Sequence, residues 1–169
     1  MIKSIVVLNN HGQPRLTKFY EYVPEDRQQQ VVTDVFSMVS KRSDALCNFV
    51  DGASIFGPGV RVIYRHYATL FFVFVVDEAE SELGILDLIQ VFVETLDRCF
   101  ENVCELDLIF YMNKIHYVLD EIVVGGLVLE TNMADILAAL QEAKRSESQA
   151  SSTSLVSPAR SFSLARSYR

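Results

Sequence analysis

Histidine and cysteine are the side chains that most often bind metal ions or serve as nucleophiles, and this chain of 169 residues has three of each. No two of them have the spacing of a zinc site, and no serine or cysteine has a histidine at the spacing of a local nucleophile–base pair. The odd cysteine count, without CxxC pairs, indicates a reducing compartment. The sequence therefore predicts neither a metal centre nor a cofactor. The residues concerned are His11, His66, His116, Cys47, Cys99 and Cys104.

Acid–base and phosphate-binding patterns are missing as well. Asp120 and Glu121 are adjacent on a predicted helix, where neighbouring side chains point about 100° apart and do not face each other. The Gly-Pro-Gly segment at 57–59 has neither the GK[ST] of a P-loop nor the GxGxxG of a dinucleotide site. The acidic residues at 77–82 lack the DxDxDG pattern of a calcium loop. The chain is therefore predicted not to be an enzyme.

Charge and hydropathy exclude two further classes of partner. The net charge is −7, and the acidic residues lie in the body of the chain, whereas residues 144–169 hold five basic residues and one acid. An acidic body does not bind nucleic acid directly, because phosphate contacts need a basic surface. The longest apolar runs, at 70–76 and 122–129, are too short for a membrane helix, and the start of the chain lacks a secretory apolar segment. We expect a cytoplasmic protein without a membrane anchor of its own.

Alternating hydrophobic periods predict an α+β domain over residues 1–143. Residues 144–169 are rich in serine and poor in large aliphatic side chains, so their composition predicts a disordered basic tail. The loop at 51–59 should contain no regular structure, and the strand at 69–77, apolar throughout, should be central. A final helix should be capped by Thr131 or Asn132 and end near Lys144. The other predicted strands are 2–9, 15–23, 47–50 and 60–67, and the other helices begin at 24–26 or span 81–101 and 105–124.

One of the predicted helices carries more apolar surface than one sheet can cover. The helix at 81–101 has a single narrow polar stripe, and everything else on it is apolar, so it needs cover on two sides, from another helix or another protein. The helix at 105–124 should end at Gly125-Gly126. Its predicted inner face consists of Ile109, Met112, Tyr117, Leu119 and Val123.

Several segments closely resemble the small (sigma) subunits of the heterotetrameric adaptor-protein complexes of vesicle coats. They are MIKSIVVLNNHGQPRLTKFY, YRHYATLFFVFVVD, ELGILDLIQVFVETLD, FENVCELDLIF and LDEIVVGGLVLET, and the resemblance runs over residues 1–142, most like adaptor complex three. It implies a longin-like fold, a five-stranded antiparallel sheet flanked by helices. It also implies a direct partner, the delta large subunit, with the beta and mu subunits in the same tetramer. Such complexes sit peripherally on Golgi and endosomal membranes and coated vesicles, and they sort cargo towards lysosomes or vacuoles.

The resemblance further implies a pocket, shared with the large subunit, for acidic dileucine signals of the form [DE]xxxL[LI]. By position, Arg15 matches the arginine that attends the acid, and Tyr67 lies at the edge of the leucine pockets. From the residues alone, the apolar members would be ordinary core side chains and Arg15 a solvated one. His66 and Thr69, beside this pocket, depart from the residues found in other complexes. The matching pocket residues are Ala68, Leu70, Val93, Asn102, Val103, Leu106 and Leu108.

A second function class fits the same fold. A free longin-like or roadblock-like regulatory module would dimerise or bind a small GTPase, and it differs from an adaptor subunit in its partner. The regulatory module predicts a stable dimer, whereas the adaptor subunit predicts a chain whose apolar helix surface makes it unstable alone.

Overall fold

A five-stranded antiparallel sheet, in the order β2-β1-β5-β4-β3, forms the middle layer of the fold. The computed structural model describes residues 1–43 and 46–153, and side chains up to residue 146 with the exception of that of residue 53. The α+β class is confirmed, and each of the five predicted strands is present, with β3 at Phe49–Asp51 rather than at 47–50. β5 is central as expected. β2 ends short of the predicted residue 23. The strands are β1 (Ile2–Asn9), β2 (Pro14–Phe19), β3 (Phe49–Asp51), β4 (Val60–Tyr67) and β5 (Leu70–Asp77).

Six helices and a small hairpin complete the described part of the chain. The prediction of a loop over 51–59 was wrong in two respects, because Asp51 belongs to β3 and a one-turn helix, α2, follows it. None of the described helices combines the length and apolarity needed to cross a bilayer. The helices are α1 (Glu25–Val39), α2 (Ala53–Phe56), α3 (Glu82–Phe100), α4 (Glu105–Phe110), α5 (Met112–Ile122) and α6 (Met133–Thr153), and the hairpin pairs β6 (Val123–Val124) with β7 (Leu127–Val128).

The two faces of the sheet bury two separate hydrophobic clusters. Alternate residues of β5 point to opposite faces, so Phe72 and Phe74 join one cluster and Val73 and Val75 join the other. The first cluster lies under α3, α4, α5 and α6, and the second under α1. Phe72 and Phe74 are almost fully buried. Removing either ring would cost about 3–5 kcal/mol, so the first cluster contributes substantially to stability.

α3 follows its predicted bounds closely and lies in the centre of the helical layer. Its first turn is capped by Ser81, whose Oγ accepts a hydrogen bond from the Gly84 amide at 3.2 Å. It contacts β4 and β5 on one side and α5 and α6 on another. The second cover that its apolar circumference required therefore comes from helices of the same chain. Leu83, near its start, remains 68% exposed.

The prediction of a single helix over 105–124 was wrong, because the helix is interrupted at Tyr111 and forms two helices, α4 and α5. Tyr111 has φ −117° and ψ 35°, outside the helical region, although its amide still donates to the Asp107 carbonyl. The break shifts the phase of the helix, so Ile109, Met112 and Tyr117 of the predicted inner face are exposed. Leu119 and Val123 are buried as predicted. The inner face of α5 consists of Ile115, Val118, Leu119 and Ile122.

α6 begins as predicted and ends later. The Oδ1 of Asn132 accepts a hydrogen bond from the Ala134 amide at 3.0 Å, so Asn132 is the cap. The helix continues to Thr153, past the predicted end near Lys144. The remainder of the predicted tail, residues 154–169, lies outside the described residues, and the division of the chain at 143 stays a prediction.

Gly125 and Gly126 form the turn between β6 and β7 rather than a helix stop, because α5 already ends at Ile122. Both glycines have positive φ, at +58° and +81°. The carbonyl of Gly126 accepts a hydrogen bond from the Ile2 amide at 2.8 Å. A Cβ atom at residue 126 would lie 2.4 Å from the Ile2 carbonyl oxygen, whereas one at residue 125 would meet nothing within 4 Å. The turn is thus pressed against the first residues of β1.

We expect Gly126→Ala to destabilise the fold much more than Gly125→Ala. Both substitutions place a side chain in left-handed backbone, at a cost of about 1–2 kcal/mol, but only the first also collides with backbone. The total for Gly126→Ala should be about 3 kcal/mol. Chemical denaturation followed by circular dichroism measures the difference. Equal losses for the two variants would show that the hairpin is not held against β1.

Candidate functional site

Three of the residues predicted to form leucine pockets lie inside the first hydrophobic cluster. Leu70, Val93 and Leu108 come from β5, α3 and α4 respectively, and their exposed fractions are 5%, 8% and 0%. The fold therefore brings together residues that are far apart in the sequence. In this structure their side chains are covered and behave as core, as the residue types alone suggested.

Tyr67 and Val103 are half-buried and pack against the same cluster. The Tyr67 hydroxyl donates a hydrogen bond to the Gln90 Oε1 atom and accepts one from the Arg65 guanidinium at 3.1 Å. The Tyr67 ring stands edge-on to Phe72, with centroids 5.8 Å apart. Tyr67 thus closes one side of the cluster through a polar network.

The remaining pocket candidates are exposed. Ala68 lies in the turn between β4 and β5, Asn102 lies between α3 and α4, and Leu106 on α4 is 60% exposed. Ala68 and Asn102, with Glu101, are the non-glycine residues of the described chain that adopt positive φ, at 52°, 83° and 53°. Such backbone is unfavourable for alanine and glutamate. Both strained turns therefore border the predicted pocket, as strained backbone often does at functional sites.

Two cavities lie beside the predicted pocket rather than within it. One, of about 960 Å³, is lined by the end of α3, by α4, α5 and α6, and includes none of the nine predicted site residues. The other, of about 440 Å³, lies between the ends of β3 and β4 and the start of α3, and Tyr67 forms part of its wall. Two leucines could not enter among Leu70, Val93 and Leu108 without movement of the covering side chains.

Arg15 is held by a carboxylate of α4, the short helix that contacts β2. Its Nε and Nη2 atoms lie 2.8 and 2.7 Å from the Oε1 atom of Glu105, in the first turn of α4. Nη2 also donates to the Gln13 Oε1 atom at 2.7 Å. The buried Asn9 donates to the same Glu105 oxygen at 2.9 Å. The residue type alone suggested a solvated arginine, but this network holds the side chain at 19% exposure.

These contacts stabilise the charged form of Glu105. Hydrogen bonds from Asn9 and Arg15 lower the pKa of the Glu105 carboxyl below its ordinary value. Asn9 also accepts, through Oδ1, the amides of His11 and Gln13 at 2.9 Å, which fixes the turn between β1 and β2. The network thus joins that turn to the start of α4.

The sequence alone did not identify Glu105, Asn9 or Gln13 as neighbours of Arg15. Glu105 was one of several acids near a helix start, where acids are common for dipole reasons. Ninety positions separate it from Arg15, and no local pattern predicts such a pair. Among the described residues, no group of three metal-ligating side chains is assembled.

Most of the exposed large apolar side chains of the described residues lie in one part of the chain, and nine of them, without the pocket candidate Leu106, form what we call the apolar band. They lie on α4, α5 and the β6–β7 hairpin, and the exposed fraction reaches 74% at Phe110. Large apolar side chains that are exposed together on a surface often mark an interaction site. The band consists of Ile109, Phe110, Tyr111, Met112, Tyr117, Val124, Leu127, Val128 and Leu129.

Comparison with known families decides the relationship. The profile of the family described as clathrin adaptor complex small chain matches residues 1–147. The chain belongs to this family. This adaptor small chain is 59% identical to the human AP-3 complex subunit sigma-2 over 164 residues. The alignment covers 96% of this chain and 84% of that protein. It is 62% identical to the AP-3 complex subunit sigma of Dictyostelium discoideum over 135 residues, 78% and 79% of the two chains.

A comparison of structures supports the same family relationship for this adaptor small chain. It superposes on a chain of the homology model of the full-length AP-3 complex in a stretched open conformation. The TM-score is 0.69 and the identity 40%, over 90% of this chain and 99% of that chain. The resemblance to sigma subunits, the longin-like fold and the prediction that the protein is not an enzyme are confirmed by this membership.

The network around Glu105 makes the stability of the adaptor small chain depend on pH. Because the pKa of Glu105 is lower in the folded chain, its stabilisation is complete above the ordinary value of 4.5 and is lost as pH falls through the folded value. Glu105→Gln should remove the part of the dependence that this carboxyl contributes, while the parts from Asp77 and Glu130, whose pKa values are also lowered, remain. Arg15→Ser should reduce the Glu105 part. Denaturant midpoints measured across acidic pH give the difference. A wild-type-like acid profile in Glu105→Gln would contradict this assignment.

Proposed function

We propose that the chain is the small subunit of an AP-3-type adaptor complex, and that the apolar band binds the delta large subunit. The observation that carries the proposal is the exposed band on a member of the clathrin adaptor small chain family. The beta and mu subunits complete the assembly. The chain is then peripheral on Golgi and endosomal membranes and coated vesicles through the complex, and the complex sorts cargo to lysosomes or vacuoles.

The band has the composition of a stable subunit interface. Its members lie on three successive parts of the chain, α4, α5 and the β6–β7 hairpin. Aromatic and methionine side chains are enriched in the centres of interfaces. Four members of the band are of these types, namely Phe110, Tyr111, Met112 and Tyr117. Burying a phenylalanine or methionine fully gains about 1.5–3 kcal/mol. A partner that covers the band therefore gains enough free energy for a lasting complex.

The proposal includes the pocket for acidic dileucine signals. Leu70, Val93, Val103 and Leu108 supply apolar walls, and Arg15 supplies a cation for the acid upstream of the leucines. Since Leu70, Val93 and Leu108 are covered here, binding requires the side chains that cover them to move. Leu106, which is exposed, is therefore the residue that an arriving leucine would meet first.

The band can be tested by assembly. We expect Phe110→Asp to weaken or abolish the complex with the N-terminal trunk of the delta subunit, because a charge would enter an apolar interface. Leu83→Asp is the matched control, since Leu83 is similarly exposed on α3, outside the band. Light scattering of the chain, alone and co-expressed with the trunk, measures the stoichiometry. A well-behaved lone dimer that ignores the trunk would favour the regulatory module instead.

The pocket can be tested by peptide binding to the complex with the trunk. We expect Leu106→Ser to weaken an acidic dileucine peptide by about tenfold, through loss of apolar contact with one leucine. Leu83→Ser should bind as the wild type does. Val93→Asp is a poorer probe, because Val93 is buried in the core and an unpaired charge there would also disturb folding. Isothermal titration measures the affinities, and an unchanged affinity in Leu106→Ser would remove this site.

A further inference from the structure

Arg15 is already engaged by an acidic group of the same chain. A guanidinium can present Nε and one Nη together to a single carboxylate, and this paired edge is its strongest anion-binding side. In this structure Glu105 takes that edge, with Oε1 at 2.8 Å from Nε and 2.7 Å from Nη2. Among the described residues, no group accepts a hydrogen bond from Nη1. An incoming acid therefore meets the weaker side of the arginine.

Glu105 is held in this position from more than one direction. Asn9 donates to the same Oε1 atom at 2.9 Å and is itself buried, so it cannot turn away into solvent. The first turn of α4 fixes the backbone of Glu105, because the Asp107 carboxylate accepts the Cys104 amide at 2.9 Å. The Gln13 Oε1 atom also accepts a hydrogen bond from Nη2, at 2.7 Å. The carboxylate is thus a fixed partner of Arg15 rather than a chance surface contact.

We propose that Glu105 is an internal competitor for the acidic residue of the sorting signal and so determines how strongly the site prefers signals with that acid. The proposal rests on the function proposed above and deepens it. An upstream acid either displaces Glu105 from the paired edge or stays on Nη1, close to a like charge. In both cases part of its attraction to Arg15 is offset. Peptides without the acid meet no such competition, so Glu105 reduces the difference between the two classes.

The test uses two dileucine peptides that differ in one residue, glutamate or alanine at the acidic position, titrated against the complex with the delta trunk. In Glu105→Gln the amide oxygen still accepts from Arg15, but the charge is gone. We expect the glutamate peptide to bind about three- to tenfold more tightly than to wild type, and the alanine peptide to change less than about twofold. Glu101→Gln removes the same charge from the turn before α4 and serves as the matched control.

A second background shows whether the effect passes through Arg15. In Arg15→Ser, the Glu105→Gln substitution should leave the ratio of the two affinities unchanged, because the cation for which the two acids compete is absent. An equal gain for both peptides, or a gain in Glu101→Gln of the same size, would overturn the proposal by showing a general charge effect. An unchanged ratio in Glu105→Gln would overturn it directly.

Different results would contradict the proposed role of Glu105 and the proposed dileucine pocket. If Leu106→Ser weakens both peptides while Glu105→Gln leaves their ratio unchanged, the pocket stands and the role of Glu105 is wrong. If the wild-type complex binds neither peptide, or Leu106→Ser has no effect, both proposals are wrong. Light scattering of each variant complex confirms that the subunits remain assembled during the titrations.

Discussion

The burial of β5 on both faces is the constraint on which the rest of the structure depends. This strand has hydrogen-bonded neighbours on each side, β1 and β4, and nearly every residue in it is buried. A strand in this position needs a helical layer above and another below, since its backbone and side chains have no access to water. The α3, α5 and α6 layer and the α1 layer meet that need and fix the distance between the two clusters.

The candidate site lies at the edge of the first hydrophobic cluster. Leu70 begins β5, and Leu108 is the buried residue of the short α4, so the core continues up to the segment that the network at Arg15 holds. The polar network therefore closes an end of the apolar cluster. Packing holds the buried residues Leu70 and Leu108 in place, whereas hydrogen bonds hold Arg15 and Glu105. Only the hydrogen-bonded residues can rearrange without loss of the core.

The sheet and α3 could be predicted because each has a strong periodic pattern that one local rule explains. The break at Tyr111 could not, because the sequence around it has neither proline nor glycine, and the phase of α5 is set by contacts with α3 and α6. The α2 turn is likewise too short for a periodic signal. The site residues came from a family resemblance, and the pairing of Arg15 with Glu105 depends on tertiary structure that no local rule describes.

The left-handed backbone at Ala68 has a consequence for protein engineering. A glycine at this turn would adopt the same conformation without a steric penalty, so a sequence chosen for stability alone would have glycine there. Alanine instead restricts the turn to fewer conformations and leaves β4 and β5 joined by a stiffer connection. Replacing Ala68 with glycine to raise thermal stability would therefore lower the backbone strain of this turn. It would also make the connection beside Tyr67 and Leu70 less stiff.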